Sequence, residues 1–425
     1  MYDTTHYLIA IPKFNEVRQK MTSRLPAQFF VNGRQVTAKA SLRYAPVVVV
    51  CLGGLDATYL TAAAKRGLIP TMERFRKYGH YSIVSAMMPT YSTPNNISIV
   101  TGSFPEVHGV ISYRGGASIN CQETYLNQFF HAGYRVGAIT ARKELLTFLR
   151  TGLAFDPQSA QCPVAISVDE ASNLTWDHNG FVLLDKYVGR PPDMASTDGS
   201  TALYVLRAGV HLQSDIFTRR DLLYLSTDDS VFRNYGPEDD VALEFLTQFD
   251  RILSKFVSLG SVVGITADHG MSAKASGVVY LGEILTKTHA GSGLCLVDLP
   301  SEPDMTLGSY AIVKVAEQGQ ITDVLAVLRK TPGIALALTS DEACDRFGVP
   351  PCHHIVVVAK KDYALGNTVK DHSDYLTKLN GFTLRTAGSE SEGKVPFILS
   401  HRIDTMVPPP MYNADIIQFA TTHTE

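Results

Sequence analysis

The sequence predicts an α/β protein: a mostly parallel central sheet flanked by helices, with a small α+β cap inserted into it. Three observations predict this. Pro46-Val-Val-Val-Val-Cys-Leu is an unbroken β-branched run of the kind that forms a strand buried on both faces of a parallel sheet. Further β runs at 135–140, 222–226 and 261–266 alternate with amphipathic stretches such as 241–259, the rhythm of βα units. Between Gly282 and Leu379 the rhythm changes to short strands around a helix, which marks a separate small layer.

Taken in order, residues 1–44 form an N-terminal extension before the first buried strand. Gly53-Gly54 opens the turn after it, and 60–79 reads as one helix closed by Gly79. Pro94-Asn95-Asn96 reads as a turn leading into a short apolar run at Ser98-Ile-Val-Thr. The core is expected to span 45–281 and 380–400. The cap, 282–379, is expected to hold strands at 309–315 and 354–358, a helix at 321–330 and a helical turn at 340–347. The remainder, 401–425, contains Pro408-Pro-Pro and is expected to be an extended tail.

The chain has 425 residues, 45% hydrophobic and 19% charged, enough to bury a sizeable core. Lys and Arg total 38 against 41 Asp and Glu, so no general positive field draws it to nucleic acid. Its apolar runs fall far short of the ~20 residues needed to span a membrane. The six cysteines are scattered without a CxxC pair, and the N-terminal residues lack the order of a secretory signal. Both features predict free thiols in an intracellular, reducing compartment.

Ligands of open α/β sheets bind at the carboxyl ends of the strands, so residues just after each β run are the first candidates for chemistry. Asp228 and Asp229 follow 222–226, Asp268-His269-Gly270 follows 261–266, and Ser92-Thr93 precedes Pro94-Asn95-Asn96. A hydroxyl, carboxylates and an imidazole converging on one sheet edge suit metal-assisted phosphoryl or phosphonyl transfer, because zinc takes N and O ligands and activates a hydroxyl. His108, in Pro105-Glu-Val-His-Gly, reads as a structural histidine. Cys352-His353-His354 leads into a β run and lacks the second ligand cluster a metal site needs.

The series of motifs is more specific than any one of them: a strand then Gly-Gly, a hydroxyl before Pro-Asn-Asn-Ile-Ser-Ile-Val-Thr-Gly, then Leu-Tyr-Leu-Ser-Thr-Asp-Asp and Thr-Ala-Asp-His-Gly-Met-Ser-Ala-Lys. From about residue 46 to 399 it resembles the phosphonoacetate hydrolases and related nucleotide pyrophosphatase-like members of the alkaline phosphatase superfamily. The resemblance implies an alkaline phosphatase-like core that holds two zinc ions between aspartates and histidines, with a threonine attacking phosphorus. Carried over by position, the threonine falls on Ser92, which can serve the same role. Three metal ligands survive as Asp229, Asp268 and His269, while three other ligand positions fall on Gly53, Arg233 and Ala387. Glycine and alanine cannot ligate, and Arg233 is a permanent cation. Two lysines that contact the anionic substrate in related hydrolases lie in a stretch that here reads Arg142-Lys143-Glu144.

The expected function is therefore that of a catalytically inactive homologue, a pseudoenzyme acting as a structural or scaffolding subunit of a cytoskeletal or other multi-subunit assembly, with no cofactor. Arg233 is expected to pair with Asp229 one helical turn away or with Asp268 across the cleft. One alternative is a hydrolase of phosphonate or phosphate esters with a single zinc on Ser92, Asp268 and His269, completed by water, Asp56 or Asp228. The other is a sensor that binds a small anion through Arg142 and Arg233.

Overall fold

The computed structural model describes residues 27–31, 34–38, 45–112, 123–156, 159, 161–170, 188–216, 218–288, 295–298, 307–316, 318–351, 354–379, 381–403 and 409–422. The architecture is mixed α/β, with a seven-stranded sheet at its centre. Its strands are β1 (Val47–Cys51), β2 (His80–Ser85), β3 (Val136–Thr140), β4 (Val164–Ser167), β5 (Leu222–Ser226), β6 (Val262–Thr266) and β7 (Lys394–Leu399), in the spatial order β2-β7-β6-β1-β5-β3-β4. β1 pairs in parallel with both β5 and β6, and β3 pairs in parallel with β4 and β5. β7 runs antiparallel to β2 and β6.

Every residue of β1 is fully buried, as its β-branched run requires at the centre of a sheet covered on both faces. One face is covered by the helices Ser200–Ser214 and Asp240–Ser258, the latter burying Leu246, Phe249, Leu253 and Phe256 on a single stripe.

Two expected elements are corrected. The stretch 60–79 is two helices, Ala57–Lys65 and Pro70–Tyr78, because Pro70 starts the second and forces Ile69 out of helical geometry (φ −124°, ψ 56°). Ser92–Thr101 is one continuous helix rather than a turn followed by a separate apolar run. Pro94 sits in its first turn, where the missing N–H would have had no partner in the helix.

The extended tail is also corrected. Residues 416–422 form a helix that buries Ile416, Ile417 and Ala420 against β6. Gly264 makes this approach fit: a Cβ there would stand 3.3 Å from Ile416 Cγ1 and 3.4 Å from Ala420 Cβ. Ahead of the core, strands Ala27–Val31 and Arg34–Ala38 pair as an antiparallel hairpin. No helix among the described residues is long and apolar enough to cross a membrane.

The cap has its own four-stranded antiparallel sheet, ordered 295–298, 310–315, 355–359, 334–338, with the helix Ile321–Lys330 packed on it. Its apolar interior, around Val313, Leu328 and Val357, is a cluster separate from the main core. Polar contacts join cap to core. Tyr91 Oη donates to Tyr310 O at 3.1 Å, and Ser309 and Thr386 hydroxyls meet at 2.9 Å. The Lys274 ammonium is fully buried and donates to Ser272 Oγ (2.9 Å), Lys361 O (2.9 Å) and Glu392 Oε1 (3.0 Å), so all three of its protons have acceptors.

Removing one partner of a buried ion pair leaves the other charged and unpaired, at a cost of about 3–5 kcal/mol. Lys274→Met should therefore lose about that much stability in denaturant unfolding, and Lys274→Met/Glu392→Gln should recover part of it.

Candidate active site

β1, β5 and β6 are neighbours, and β3 stands beside β5, so the loops leaving their carboxyl ends meet at one sheet edge. The edge is laced by main-chain bonds that continue the ladders: Leu52 N–H to Thr266 O, Thr227 N–H to Cys51 O, and Ala141 N–H to Ser226 O, all 2.9–3.0 Å. This places Gly53, Asp228-Asp229, Asp268-His269 and Arg142 along one edge of the sheet. A small cleft there is lined by Ser92, Asn96, Arg142, Glu144, Asp228 and Asp229, among others.

Ser92 is the first residue of its helix and is partly exposed at the cleft. Its Oγ lies 3.0 Å from His269 Nε2, and His269 Nδ1 lies 2.8 Å from Gly270 O. Asn96 fixes the serine from below: its Nδ2 donates to Ser92 O (2.9 Å) and Asp268 Oδ2 (3.3 Å), while its Oδ1 accepts from Tyr224 Oη (2.6 Å) and Ser226 Oγ (2.7 Å). Asn95 holds the preceding loop through Met87 N–H and three carbonyls, and Asn413 bridges Asn95 to Ala267 O. Asn95 and Asn96, expected in a turn, are instead helical and buried, and Asn413 joins them from far along the chain. A run of two buried asparagines inside a helical apolar stretch was the available signal.

Asp268 is fully buried and its carboxylate is well supplied with donors: Oδ1 accepts from Gly54 N–H (3.1 Å) and His269 N–H (2.8 Å). Asp229 Oδ1 receives Arg233 Nη2 at 2.5 Å, and both side chains are largely buried. Of the two partners expected for Arg233, the structure selects Asp229. Burial pushes the Asp229 carboxyl up, but the Arg233 guanidinium and the His269 ring outweigh it and hold the group below the usual carboxylate range. Asp228 is raised by its own burial. Asp229 Oδ2 and Asp268 Oδ1 stand 4.0 and 3.7 Å from His269 Nε2.

The three ligand positions without metal-binding side chains are each accounted for. Arg233 sits on a short helix whose Phe232 carbonyl is clamped by Arg385 Nε (2.9 Å) and Tyr59 Oη (3.2 Å); Arg385, for which no local pattern in the sequence signals a role, is itself buried. Ala387 is fully buried. At Gly53 there is no room for a side chain: an added Cβ would lie 2.9 Å from the carbonyl C and O of Asp228 and 3.0 Å from Thr227 O. The Gly53 N–H in turn donates to Thr227 Oγ1 at 3.0 Å.

Asp56 caps its own helix, Oδ1 accepting from Thr58 N–H (2.7 Å), while its Oδ2 faces Gly270, where an added Cβ would stand 3.3 Å from it. Glu144 Oε2 and Asp228 Oδ1 are buried and accept no hydrogen bond. Among the described residues, no three His, Cys, Asp or Glu side chains are grouped so as to hold a metal ion. Cys352 and His353 lie outside the described residues. Cys51 and Cys162 are free thiols.

His108 is fully buried away from the cleft, with Nδ1 accepting from Val110 N–H (3.1 Å) and Nε2 donating to Ser98 Oγ (2.9 Å).

Comparison with known proteins agrees with this geometry. The sequence model of the type I phosphodiesterase / nucleotide pyrophosphatase family matches residues 47–132. Phosphonoacetate hydrolase from Sinorhizobium meliloti 1021, solved in complex with phosphonoformate, superposes with a TM-score of 0.82 at 28% identity, covering 95% of this chain and 100% of that one. The chain belongs to the alkaline phosphatase superfamily. Ectonucleotide pyrophosphatase/phosphodiesterase family member 1 is 24% identical over 258 residues in Mus musculus (56% of this chain, 26% of that protein) and 39% identical over 259 in Homo sapiens (56% and 25%). The matched region thus spans about a quarter of those relatives' length. These likenesses support a hydrolase scaffold.

Two predictions come from this geometry. Gly53→Ala forces the 227–228 main chain off β1 and should cost about 1–3 kcal/mol, read by chemical unfolding. Burial lowers the His108 pKa from 6.5 to about 4, so the folded ring stays neutral while the unfolded ring takes up a proton below about pH 6.5. Its contribution is complete above that pH and is lost as pH falls toward 4, a loss of roughly 3 kcal/mol. Unfolding of wild type and His108→Gln compared at pH 7 and pH 4.5 should show a shallower acid loss in the variant.

Proposed function

We propose that this protein is a hydrolase homologue that no longer carries out two-metal hydrolysis of phosphonates or phosphodiesters, and that it serves as a structural subunit of an intracellular protein assembly. The observation that carries the reading is the 2.5 Å contact between Arg233 Nη2 and Asp229 Oδ1. A permanently charged guanidinium there supplies the positive charge that the carboxylate would otherwise take from a metal ion, and it repels one.

The residues do not fit the metal pair implied by the superfamily. Gly53 and Ala387 carry no donor atom, and Arg233 has only donors. A single metal on Ser92, Asp268 and His269 fits poorly too. No carboxylate fills the place beside Gly53, where the Asp228 main chain lies instead, and Asp56 caps its helix. The anion sensor loses support because Arg233 is engaged with Asp229 and Glu144 shares the cleft with Arg142.

The structural role is favoured by what has been kept. The buried sheet, the cap and the clamp around Phe232 are intact while the donor set is not, the pattern left when a chain is selected for its fold and surface rather than for catalysis.

Elemental analysis of the purified chain tests this directly, with phosphonoacetate and a generic phosphodiester assayed with and without added zinc. The expected result is no stoichiometric metal and no turnover. About two zinc ions per chain with Ser92-dependent hydrolysis would overturn the reading.

A further inference from the structure

We propose that a groove between the cap and the core binds a small aromatic carboxylate, its ring against methionine and aromatic side chains and its charge against Arg346 and Lys394. The groove is separate from the cleft, and the proposal does not depend on what the cleft holds.

The walls come from both layers. The cap contributes Arg346 and Phe347, at the end of the helix Ser340–Phe347, and the core contributes Met87, Met88, Phe104 and Tyr412. Phe104 is fixed on two sides. Its ring meets Tyr412 edge to face at 5.0 Å, and it packs against Gly348, where the cap helix ends with φ +60° and an added Cβ would stand 2.9 Å from Phe104 Cδ1. Met87 is held by Asn95, whose Oδ1 accepts from Met87 N–H (2.7 Å) and whose Nδ2 donates to Met87 O (3.0 Å). The frame of the groove is thus set by the fold, while methionine side chains adapt to the shape they meet and favour contact with a ring.

The charges lining the groove select an anion. Arg346 and Lys394 stand there against one carboxylate, Glu390. Glu390 meets Arg346 through Nη2 alone, at 3.1 and 3.2 Å, and the two side chains are about half exposed, where such a pair contributes little. Among the described residues, no acceptor meets the Nε and Nη1 hydrogens of Arg346, and Lys394 Nζ donates to Ser85 Oγ at 3.1 Å with two protons left over. A guanidinium with an unused edge offers paired N–H groups in the plane a carboxylate matches. The balance is the reverse of that in the cleft, where Glu144, Asp228 and Asp229 line the walls with Arg142.

An occupant touches the end of the cap helix and the first residue of β7 together, and through Met87 and Asn95 it reaches the helix that begins at Ser92. It therefore fastens the cap to the core.

The test titrates the full chain with anilinonaphthalene sulfonate, an aromatic anion whose fluorescence rises out of water, and with N-phenylnaphthylamine, the same rings without the charge. One saturable site per chain is expected for the sulfonate, displaced by naphthoate. Lys394→Glu should weaken the sulfonate by about 10-fold or more, the scale of a lost charge-assisted hydrogen bond, and leave the neutral probe unchanged. Absence of saturable binding, or equal sulfonate affinity in wild type and Lys394→Glu, would overturn the proposal. Hydrogen exchange of the wild-type chain with saturating naphthoate decides the matter should the variant fail to fold. Slowed exchange is expected over 85–91 and 340–347, and slowing confined to the cleft loops, or none, would overturn it.

Discussion

Buried negative charge at the carboxyl edge of the sheet is the constraint around which the rest is arranged. Asp229 and Asp268 are withdrawn from water beside the strand ends, and an isolated carboxylate in such a place is strongly disfavoured. Each has found a partner of a different kind. Asp268 takes N–H groups from its own loop, from Gly54 and from Asn96, whereas Asp229 takes a guanidinium. The second solution makes demands on the surroundings. Arg233 must be held in register, and this is done through the Phe232 carbonyl by Arg385 and Tyr59, two residues far apart in sequence. The 227–228 main chain must also lie close on β1, which only a residue without a side chain at 53 allows.

The same polar economy ties the cleft to the cap. Tyr91, adjacent to Ser92, donates to the first residue of a cap strand, and Lys274, a few residues beyond His269, donates to Lys361 O in the cap. The residue that starts the Ser92 helix and the loop that carries His269 are therefore each anchored to the second layer. A displacement of the cap would be felt at the serine and at the imidazole together.

Much of this was legible in the sequence because it depends on local pattern. The strands 222–226 and the cap helices 321–330 and 340–347 have the predicted bounds, since a buried β-branched run or an amphipathic stripe is decided by near neighbours. The positions facing the cleft were legible for a related reason: loops at the carboxyl ends of parallel strands must converge whatever their sequence. The Asp229–Arg233 pair was readable as a spacing of four on a helix. What stayed hidden is decided by partners far along the chain. The helical state of Ser92–Thr101 relies on side-chain bonds from Asn95 and Asn96, the burial of residues 416–422 relies on a glycine in β6, and the clamp by Arg385 relies on a main-chain carbonyl 153 residues away.

The order of strands in the sheet also sets the order in which the protein can assemble. β2 comes early in the chain, yet its hydrogen-bonded neighbour is β7, more than three hundred residues later, and β7 is also what joins β2 to β6. Until β7 arrives, β2 is an unpaired strand bearing the partly exposed Ile83, with nothing to complete its ladder. Loops that long close slowly, so folding should proceed through an intermediate in which β1, β3, β5 and β6 are paired and one margin of the sheet waits open. That margin, rather than the cleft, is where a chaperone would have the longest opportunity to act.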